Sequence, residues 1–274
     1  MNDQRSTGRR RQRLLALVRS SEFVRIPELS LRFGVSKVTI RNDLDVLAKR
    51  GQVVRVPGGA IPNASPSERA FEARQAVASD AKTAIGEAAV DLISPGNTII
   101  LDVGTTTMAI ARALLARADL RGVVVFTNAL NIALALEAAI PRIEVYVTGG
   151  ALRPIQHSLV EPGATSLLAQ IRADYAFVGC DAIHPVRGVT TTNLPEAAMK
   201  QAMIRAAQRV VIVADSSKFL REAMTRVCGL EELDFILTAG ELAPDVLPAF
   251  ADTGVEIRAV PGMGAGSGEG EVSS

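Results

Sequence analysis

The chain has 274 residues, 48% of them hydrophobic and 22% charged, which is enough apolar sequence to bury a core and excludes a fibrous or disordered protein. Aromatic residues make up only 4% and Trp is absent, which argues against a carbohydrate or single-strand site built on stacked rings. Two Cys and two His are too few for a disulfide framework or a zinc site, so we expect reduced thiols, no metal and no cofactor.

The N-terminal segment has basic residues but no long apolar region ahead of a small-residue cleavage site, so it does not resemble a secretory signal. The most apolar stretch, residues 123–140, is interrupted by Thr127, Asn128, Asn131 and Glu137, which argues against a membrane span. These features predict a cytoplasmic protein.

Charge is divided unequally along the chain. Residues 1–60 hold 13 Lys and Arg against 5 Asp and Glu, a net charge of +8, and the remaining residues carry −7. A basic module attached to a mildly acidic body is typical of a nucleic-acid-binding domain joined to a second domain. Because exposed basic helices are common, this interpretation needs a second signal.

Apolar residues at helical spacing supply that signal, since they predict helices over residues 9–20 and 26–33. Gly34 then provides a turn, and Ser36 is the predicted N-cap of a third helix over residues 37–50. The side chains expected to face the core are Leu14, Leu15, Leu17, Val18, Ile26, Leu29, Leu31, Phe33, Val38, Ile40, Leu44 and Leu47. Helix, turn and helix form the arrangement that inserts its last helix into a DNA major groove.

The third helix has a polar side near its N-terminus, and a hairpin follows it. The polar residues on or beside this outward side are Lys37, Thr39, Arg41 and Asn42. Valines at 53, 54 and 56 and the turn at 57–59 predict a two-stranded wing, with Arg55 placed to meet a phosphate or a minor groove. The alternative is a small helical cap whose charges are solvated, which the combination of cap, polar face, wing and charge disfavours.

The sequence VRIPELSLRFGVSKVTIRNDLDVLAKRGQVVRVPGGAI over residues 24–61 resembles the DNA-binding signature of DeoR-type (DeoR/GlpR) bacterial transcription regulators. The resemblance implies that Ser36, Lys37, Thr39, Arg41 and Asn42 face DNA. Asn42 stands where the family usually has a second Arg, and an amide there favours adenine. Asp43 and Leu44, in the same motif, are assigned to structure because a carboxylate would repel phosphate.

Residues 62–67, rich in Pro, Ser and Asn, are the predicted linker between a winged helix-turn-helix domain at 1–61 and a second domain at 68–260. A long Ala-rich helix is expected over residues 68–93, and strands then alternate with helices. The predicted strands are 98–102, 123–126, 142–147, 175–178, 210–214, 235–238 and 255–260. This α/β alternation predicts a mainly parallel, Rossmann-like sheet covered on both faces, with ligands at the carboxyl ends of its strands.

The segment LDVGTTTMAIARAL places Gly104 and three threonines between a buried strand and a helix. Backbone amides and the positive end of the helix dipole meet at such a helix start, which suits an anion. We therefore predict that Thr105, Thr106 and Thr107 bind phosphate in preference to simple helix capping.

Other predicted strand ends also carry polar residues, each of which alone would be an ordinary loop. They are Asp102, Thr127, Asn128, Gly149, Gly150, Asp181 and the segment 215–218, which ends in Lys218. Around one crevice, an ammonium, carboxylates, hydroxyls and an amide suit a phosphorylated polyol or sugar. Glu196 and Lys200 form an i, i+4 helix pair, in which we expect Glu196 to reach a ligand hydroxyl and Lys200 to be structural.

Residues 68–260 as a whole are similar to the effector domain of the same regulators, with LDVGTTT, FTNAL, VTGGALR, EPGA, GVTTTN and VVIVADSSKF in family order. That domain is in turn similar to ribose-5-phosphate isomerase and CoA-transferase folds, and it implies a sugar-phosphate effector. The family commonly has Thr-Asp where this chain has Thr238-Ala239, which puts one polar contact in doubt.

From these expectations we hypothesise a homo-oligomeric repressor that binds double-stranded operator DNA and is relieved by a phosphorylated sugar, with activation in place of repression as the open alternative. An isomerase-like enzyme with a basic appendage is the alternative, but the loop after residue 180 offers only Asp181 before Arg187, too little for a general base and its partners. A dinucleotide-binding enzyme fails because the glycines at 262–270 do not fit the required spacing and precede no helix. Residues 261–274 are therefore predicted to be a flexible tail.

Overall fold

The computed structural model describes residues 2–19, 24–49, 53–56, 58–62, 71–75 and 77–261. The chain divides into two compact units, Met1–Arg69 and Ala70–Ser274. Apart from Pro62 and Pro261, the predicted linker and the predicted tail lie outside the described residues, as does Pro57 of the predicted turn. None of the helices in the described ranges has the length and apolar character needed to span a membrane.

The N-terminal unit combines three helices with a small antiparallel sheet, as the winged helix-turn-helix prediction requires. The wing strands β2 and β3 pair antiparallel, and a short strand that the sequence did not predict, β1, adds to β3. The elements are α1 (Asn2–Arg19), β1 (Val24–Arg25), α2 (Ile26–Phe33), α3 (Lys37–Lys49), β2 (Val53–Val56) and β3 (Gly59–Pro62).

The turn between α2 and α3 forms as predicted. Gly34 takes a left-handed conformation (φ +64°), which a residue with a Cβ adopts at a cost, and so closes α2. The Ser36 hydroxyl accepts the backbone N–H of Thr39 at 3.1 Å, which satisfies one of the free amides at the start of α3. The predicted N-cap is therefore confirmed.

Two of the predicted core positions are wrong. Leu31 and Val38 are 86% and 60% exposed, whereas Ile40, Leu44 and Leu47 of α3 are buried. The buried set of α3 is a narrow i, i+4, i+7 stripe, and Val38 falls outside it. Leu31 lies two positions from Leu29, which places it on the opposite side of α2.

Asp43 is structural, as expected. Its carboxylate is 2% exposed and accepts Arg10 Nε and Arg11 Nε, each at 2.7 Å, so it ties α3 to α1. Two charge-assisted hydrogen bonds compensate the burial of this carboxylate. Arg10 and Arg11, two of the basic residues of the N-terminal unit, therefore have a structural role.

All seven predicted strands form, and they pair in parallel into one sheet. The strands are β4 (Thr98–Leu101), β5 (Val123–Thr127), β6 (Ile143–Val147), β9 (Ala173–Gly179), β12 (Ala207–Asp215), β14 (Phe235–Ala239) and β15 (Glu256–Val260). Their order across the sheet is β15-β14-β12-β9-β4-β5-β6. The expected Rossmann-like parallel sheet is therefore confirmed.

Helices cover both faces of this sheet, and neighbouring residues of one strand supply opposite cores. In β4, Ile99 and Leu101 join one buried cluster and Ile100 joins the other, as side-chain alternation along a strand requires. The covering helices are α5 (Ser79–Val90), α6 (Thr105–Ala116), α7 (Leu130–Leu136), α8 (Ala164–Leu168), α9 (Leu194–Arg205) and α10 (Val246–Phe250).

The single long helix predicted over residues 68–93 is wrong. A short helix α4 (Phe71–Gln75) is separated from α5 by a turn in which Ala78 has a positive φ of 53°. The buried Lys82 ammonium donates to the carbonyls of Arg74 (2.6 Å) and Val77, which satisfies backbone groups that a continuous helix would have paired.

Two small antiparallel sheets that the sequence did not predict complete this unit. Strands β7 (Ala151–Arg153) and β8 (Ser158–Val160) form a hairpin beyond the end of β6. Strands β10 (Ala182–His184) and β11 (Gly188–Thr191) form a second hairpin after β9, and β13 (Thr225–Cys228) adds to it. These hairpins lie in the connections that follow the carboxyl ends of β6 and β9.

The close packing of α5 on α6 leads to a stability prediction. A Cβ added at Gly86 would lie 2.7 Å from the backbone carbonyl of Ala109, so Gly86→Ala forces the two helices apart. We expect a loss of about 1–3 kcal/mol in the free energy of unfolding, although Ala is the better helix former. Denaturant unfolding measures it, with Glu87→Ala, exposed on the same helix, as control. A Gly86→Ala variant as stable as the parent would contradict the packing described here.

Candidate functional site

The outward face of α3 is the first candidate site. Ser36, Lys37, Arg41 and Asn42 are exposed, and Thr39 is half-buried with its hydroxyl 2.9 Å from that of Ser36. Lys37 and Arg41, one helical turn apart, place two cations side by side. A positive, polar helix face opposite a packed face is what insertion into a major groove needs.

Arg55 lies on the wing, but its guanidinium already has partners. Nε donates to Asp45 at 2.9 Å and an Nη donates to the Gly59 carbonyl at 2.7 Å. Because Asp45 belongs to α3, this contact connects the wing to α3. The predicted phosphate contact of Arg55 would have to share or replace this pair.

The second candidate site is the edge of the large sheet where its parallel strands end, which we call the C-edge. It comprises the last residues of β4, β5, β6, β9 and β12 and the residues that follow them, and it holds the predicted set Asp102, Gly104, Thr105, Thr106, Thr107, Thr127, Asn128, Gly149, Gly150, Asp181 and Lys218. Because β12, β9 and β4 are neighbours, Asp215, Asp181 and Asp102 lie at the ends of adjacent strands.

Asp102 is fully buried and forms an ion pair with Lys200 of α9, which is only 4% exposed. The same carboxylate oxygen, Oδ2, accepts the backbone N–H of Gly179 at 3.0 Å. Burial alone would lower the pKa of Lys200, but Asp102 and Glu196 raise it above its ordinary value. Within the described part of the chain, the other oxygen, Oδ1, has no hydrogen-bond partner. Lys200 therefore compensates a buried charge, which agrees with the structural role that the sequence analysis expects of it.

Asp181 accepts hydrogen bonds from two segments of the chain, α4 and residues 191–192. It forms a 3.0 Å ion pair with Arg74 of α4, and it accepts the Thr191 hydroxyl, the Thr192 hydroxyl and the Thr192 N–H at 2.8–2.9 Å. Burial alone would raise the pKa of Asp181, but Arg74 and the Thr192 hydrogen bonds lower it below its ordinary value. The carboxylate is therefore ionised and held in place.

Glu196 is buried at the start of α9, where the Asn193 side chain caps the helix. Its Oε1 accepts the Ser158 hydroxyl at 3.0 Å and pairs with Arg153. Burial raises the pKa of Glu196 above its ordinary value, although Lys200 and Arg153 oppose the rise. The predicted ligand contact is untested, and in this structure the carboxylate joins α9 to the β7–β8 hairpin.

The three threonines at the start of α6 differ in accessibility. Thr107 is fully buried, and its hydroxyl donates to the Gly104 carbonyl at 3.0 Å. Thr105 and Thr106 are half-buried in the first turn of α6, which no side chain caps. Two of the three predicted threonines are therefore partly exposed at a helix start, where an anion is favoured.

Thr127 and Asn128 are fully buried and hold the backbone of the site. The Asn128 side chain accepts the Val103 N–H at 3.0 Å and donates to the Leu159 carbonyl at 3.3 Å. The Thr127 hydroxyl accepts the Ala129 N–H at 3.1 Å. These bonds position the Asp102–Gly104 segment relative to the strand next to it.

Gly149 and Gly150 follow β6 with positive φ values of 76° and 109°. A Cβ on Gly150 would lie 2.2 Å from the Val160 carbonyl oxygen, so only glycine permits this approach to β8. The position therefore has a structural reason to be glycine, in addition to the predicted ligand contact.

Lys218, half-buried, ends the 3-10 turn Ser216–Lys218 after β12. It lies close enough to Lys82 and Cys180 for its charge to lower the pKa of both groups. For Lys82 the larger cause is burial, which lowers its pKa, and Asp215 opposes that effect. A cluster of cations and carboxylates therefore surrounds the end of β12.

Sequence analysis missed Arg74, Lys82 and Arg153 as members of the C-edge. Arg74 and Lys82 were placed on a continuous helix, where they would have been two ordinary surface cations. The Ser79–Asp80 pair is the signal that could have revealed the break, because a hydroxyl and a carboxylate are typical of a helix start. Arg153 carried no signal of its own.

Both thiols are free, and burial raises the pKa of Cys180 and of Cys228 to about 12. They are therefore poor nucleophiles at neutral pH. Over the described ranges, no group of three His, Cys, Asp or Glu side chains has an arrangement that could hold a metal ion.

Comparison with protein families gives two matches. A DeoR-like helix-turn-helix domain matches residues 10–65, and a DeoR C terminal sensor domain matches residues 77–239. The second match alone spans more than half of the chain and contains every residue that the sequence analysis predicted for the C-edge.

Individual relatives match over nearly the full length. The chain is 38% identical to a protein of Escherichia coli O157:H7 that is named as an aga operon transcriptional repressor. The match covers 92% of this chain and 93% of that one. It is 36% identical to the HTH-type transcriptional regulator GlpR of Haloferax volcanii (90% and 96%). It is 29% identical to the glycerol-3-phosphate regulon repressor of Escherichia coli K12 (89% and 96%).

Among solved structures, ribose 5-phosphate isomerase A of Methanocaldococcus jannaschii matches with a TM-score of 0.39 and 18% identity. The match covers 52% of this chain and 55% of that one.

The Asp102–Lys200 pair leads to a stability prediction. Lys200→Met leaves a buried carboxylate without its cation, so we expect a loss of about 3–5 kcal/mol in the free energy of unfolding. The double variant Asp102→Asn, Lys200→Met keeps an acceptor for the Gly179 N–H and removes both charges, so it should recover most of that loss.

Urea unfolding of both variants measures the two effects. The matched control is Asp119→Ala, which removes an exposed carboxylate paired with Arg117 and should leave stability close to that of the parent. Equal losses in the single and double variants would show that the cost comes from Lys200 packing and not from an uncompensated charge.

Proposed function

The chain belongs to the DeoR family of transcription regulators, and on that premise we propose that it is a homo-oligomeric, cytoplasmic repressor released from operator DNA by a phosphorylated sugar or polyol. It is a DNA-binding regulator and not an enzyme. The relatives that match over nearly its full length are likewise named as transcriptional regulators. The observation that carries the proposal is the C-edge of the sensor domain, where cations, carboxylates and helix amides converge on one end of the sheet.

Operator binding is assigned to the outward face of α3. Lys37 and Arg41 are exposed cations in the first two turns, and the rest of that face is free of core packing except at Thr39. Phosphate contacts by these cations would set position on the duplex, and the Asn42 amide would favour adenine. A homo-oligomer would present two such helices to a repeated or palindromic operator.

The effector class follows from the kinds of groups at the C-edge. Thr105 and Thr106 lie at the open start of α6, which favours an anion, and Lys218 adds an ammonium at the end of β12. The carboxylate of Asp181, which is 14% exposed, supplies an acceptor for a hydroxyl. A ligand that carries both phosphate and hydroxyls fits this set, and one relative is named for glycerol-3-phosphate.

Arg74 could couple the C-edge to the DNA-binding domain. Its helix, α4, is the first described element after the predicted linker at residues 62–67. The Phe71 N–H of α4 also donates to the Ile155 carbonyl at 3.0 Å. A ligand hydroxyl that competes for Asp181 would release Arg74, so ligand binding and the position of α4 would be linked.

The direct test is binding of the full-length protein to DNA from its own upstream region, titrated at fixed salt with a panel of sugar and polyol phosphates. Arg41→Ala should weaken operator binding and leave ligand binding intact. Lys218→Ala should bind operator normally and no longer be released by the ligand. Arg121→Ala, which removes an exposed cation of the sensor domain, is the matched control and should behave as the parent.

A ligand that acts through coupling should change operator affinity by roughly 5- to 150-fold. If Arg41→Ala and Lys218→Ala each lost both activities, the proposed division between the domains would be wrong. If no phosphate altered operator binding, while specific DNA binding persisted, the effector class would be wrong and the regulator assignment would stand.

Arg74→Gln tests the route separately. We expect it to bind operator and ligand but to show a smaller ligand-induced change in operator affinity, because the side chain that links Asp181 to α4 is shortened and uncharged. Ligand-induced thermal stabilisation measures ligand binding independently of DNA. If Arg74→Gln showed the same ligand-induced change in operator affinity as the parent, the proposed role of the Arg74–Asp181 pair in coupling would be wrong.

A further inference from the structure

Val38 is an apolar side chain in an unexpected place. It is 60% exposed on α3, where Ile40, Leu44 and Leu47 already supply the packed stripe. Exposure of an isopropyl group on the face that carries Lys37 and Arg41 brings no benefit to folding. We propose that Val38 is a specificity-determining residue that packs against the C5-methyl group of a thymine in the operator.

The position of Val38 on the helix suits base contact. It is the second residue of α3, and in helix-turn-helix proteins the N-terminal residues of the recognition helix contact base edges. Its i+4 neighbour is Asn42, also exposed, so the two side chains lie side by side with Cβ atoms about 5–6 Å apart.

The apolar side chain of Val38 favours thymine over the other three bases. An isopropyl group neither donates nor accepts a hydrogen bond, so it cannot distinguish the polar edges of guanine, cytosine or adenine. The thymine methyl is the apolar group that the major groove presents, and apolar side chains recognise it by contact. A polar base edge against Val38 would lose water without gaining a bond, which disfavours other bases at that position.

The spacing to Asn42 limits where the thymine lies. Successive base pairs are about 3.4 Å apart along the duplex, so side chains about 5–6 Å apart reach base pairs that are adjacent or separated by one. The thymine contacted by Val38 should therefore lie within about two base pairs of the adenine that Asn42 is predicted to favour.

The test uses the full-length protein and a duplex selected by it from a library with a randomised core. Each thymine of the selected duplex is replaced in turn by deoxyuridine, which removes the C5-methyl and leaves base pairing intact. At one thymine position, the parent protein should lose about three- to tenfold in affinity, the scale expected for one or two buried methyl groups. Val38→Ala should bind thymine and deoxyuridine duplexes equally at that position.

Leu31→Ala is the matched control, because it removes a more exposed apolar side chain from α2 and should keep the full preference for thymine. Thermal unfolding of both variants should match that of the parent, since neither side chain is buried. Asn42→Ala should relax a preference for adenine within two base pairs of the methyl-sensitive thymine.

Three results would overturn the proposal. The parent protein could bind every deoxyuridine duplex as well as the thymine duplex. Val38→Ala could keep the parent's sensitivity to the methyl group. The methyl-sensitive thymine could also lie more than about two base pairs from the position affected by Asn42→Ala, which the i, i+4 geometry does not allow.

Discussion

The parallel direction of the seven sheet strands is the constraint on which the sensor domain depends. Because all strands run the same way, every carboxyl end emerges at one edge, and neighbouring ends are only about 4.8 Å apart. Asp102, Asp181 and Asp215 lie at the ends of three adjacent strands, so the fold itself concentrates negative charge there. Burial of these carboxylates requires cations, and α9 supplies Lys200 to Asp102 while α4 supplies Arg74 to Asp181.

The proposed response of the C-edge to a ligand would depend on this compensation. Most of its polar groups already have partners: Asp181 has four donors, and Glu196 joins Arg153 and Ser158. A ligand that enters such a network must exchange contacts with groups that also hold α4 and the β7–β8 hairpin. Binding by exchange changes which elements are held together, and this is the physical requirement for an effector to shift a conformational equilibrium.

Prediction from sequence succeeded where short-range pattern determines structure. The seven strands are buried apolar runs bounded by polar residues, and the Ser36 cap depends on residues three positions apart. The Asp102–Lys200 pair spans 98 residues and has no periodicity to reveal it. Ala78 hid the break between α4 and α5 because alanine favours helix, and the Lys82 side chain that bonds the carbonyls at the break has no distinguishing sequence pattern. Individual site roles therefore follow from packing that the sequence alone does not display.

The recognition helix shows how stability and specificity are separated within 13 residues. Its inner side is fixed by Ile40 and Leu44 and by Asp43, whose ion pairs with Arg10 and Arg11 hold α3 on α1. Substitution of any of these residues should lower the free energy of unfolding, because each is buried among partners. The outer side chains contribute little to folding, so a substitution there should leave the stability of the domain almost unchanged. Asn42, where the family usually has Arg, lies on that outer side. Base preference can thus change while the scaffold that presents it stays the same.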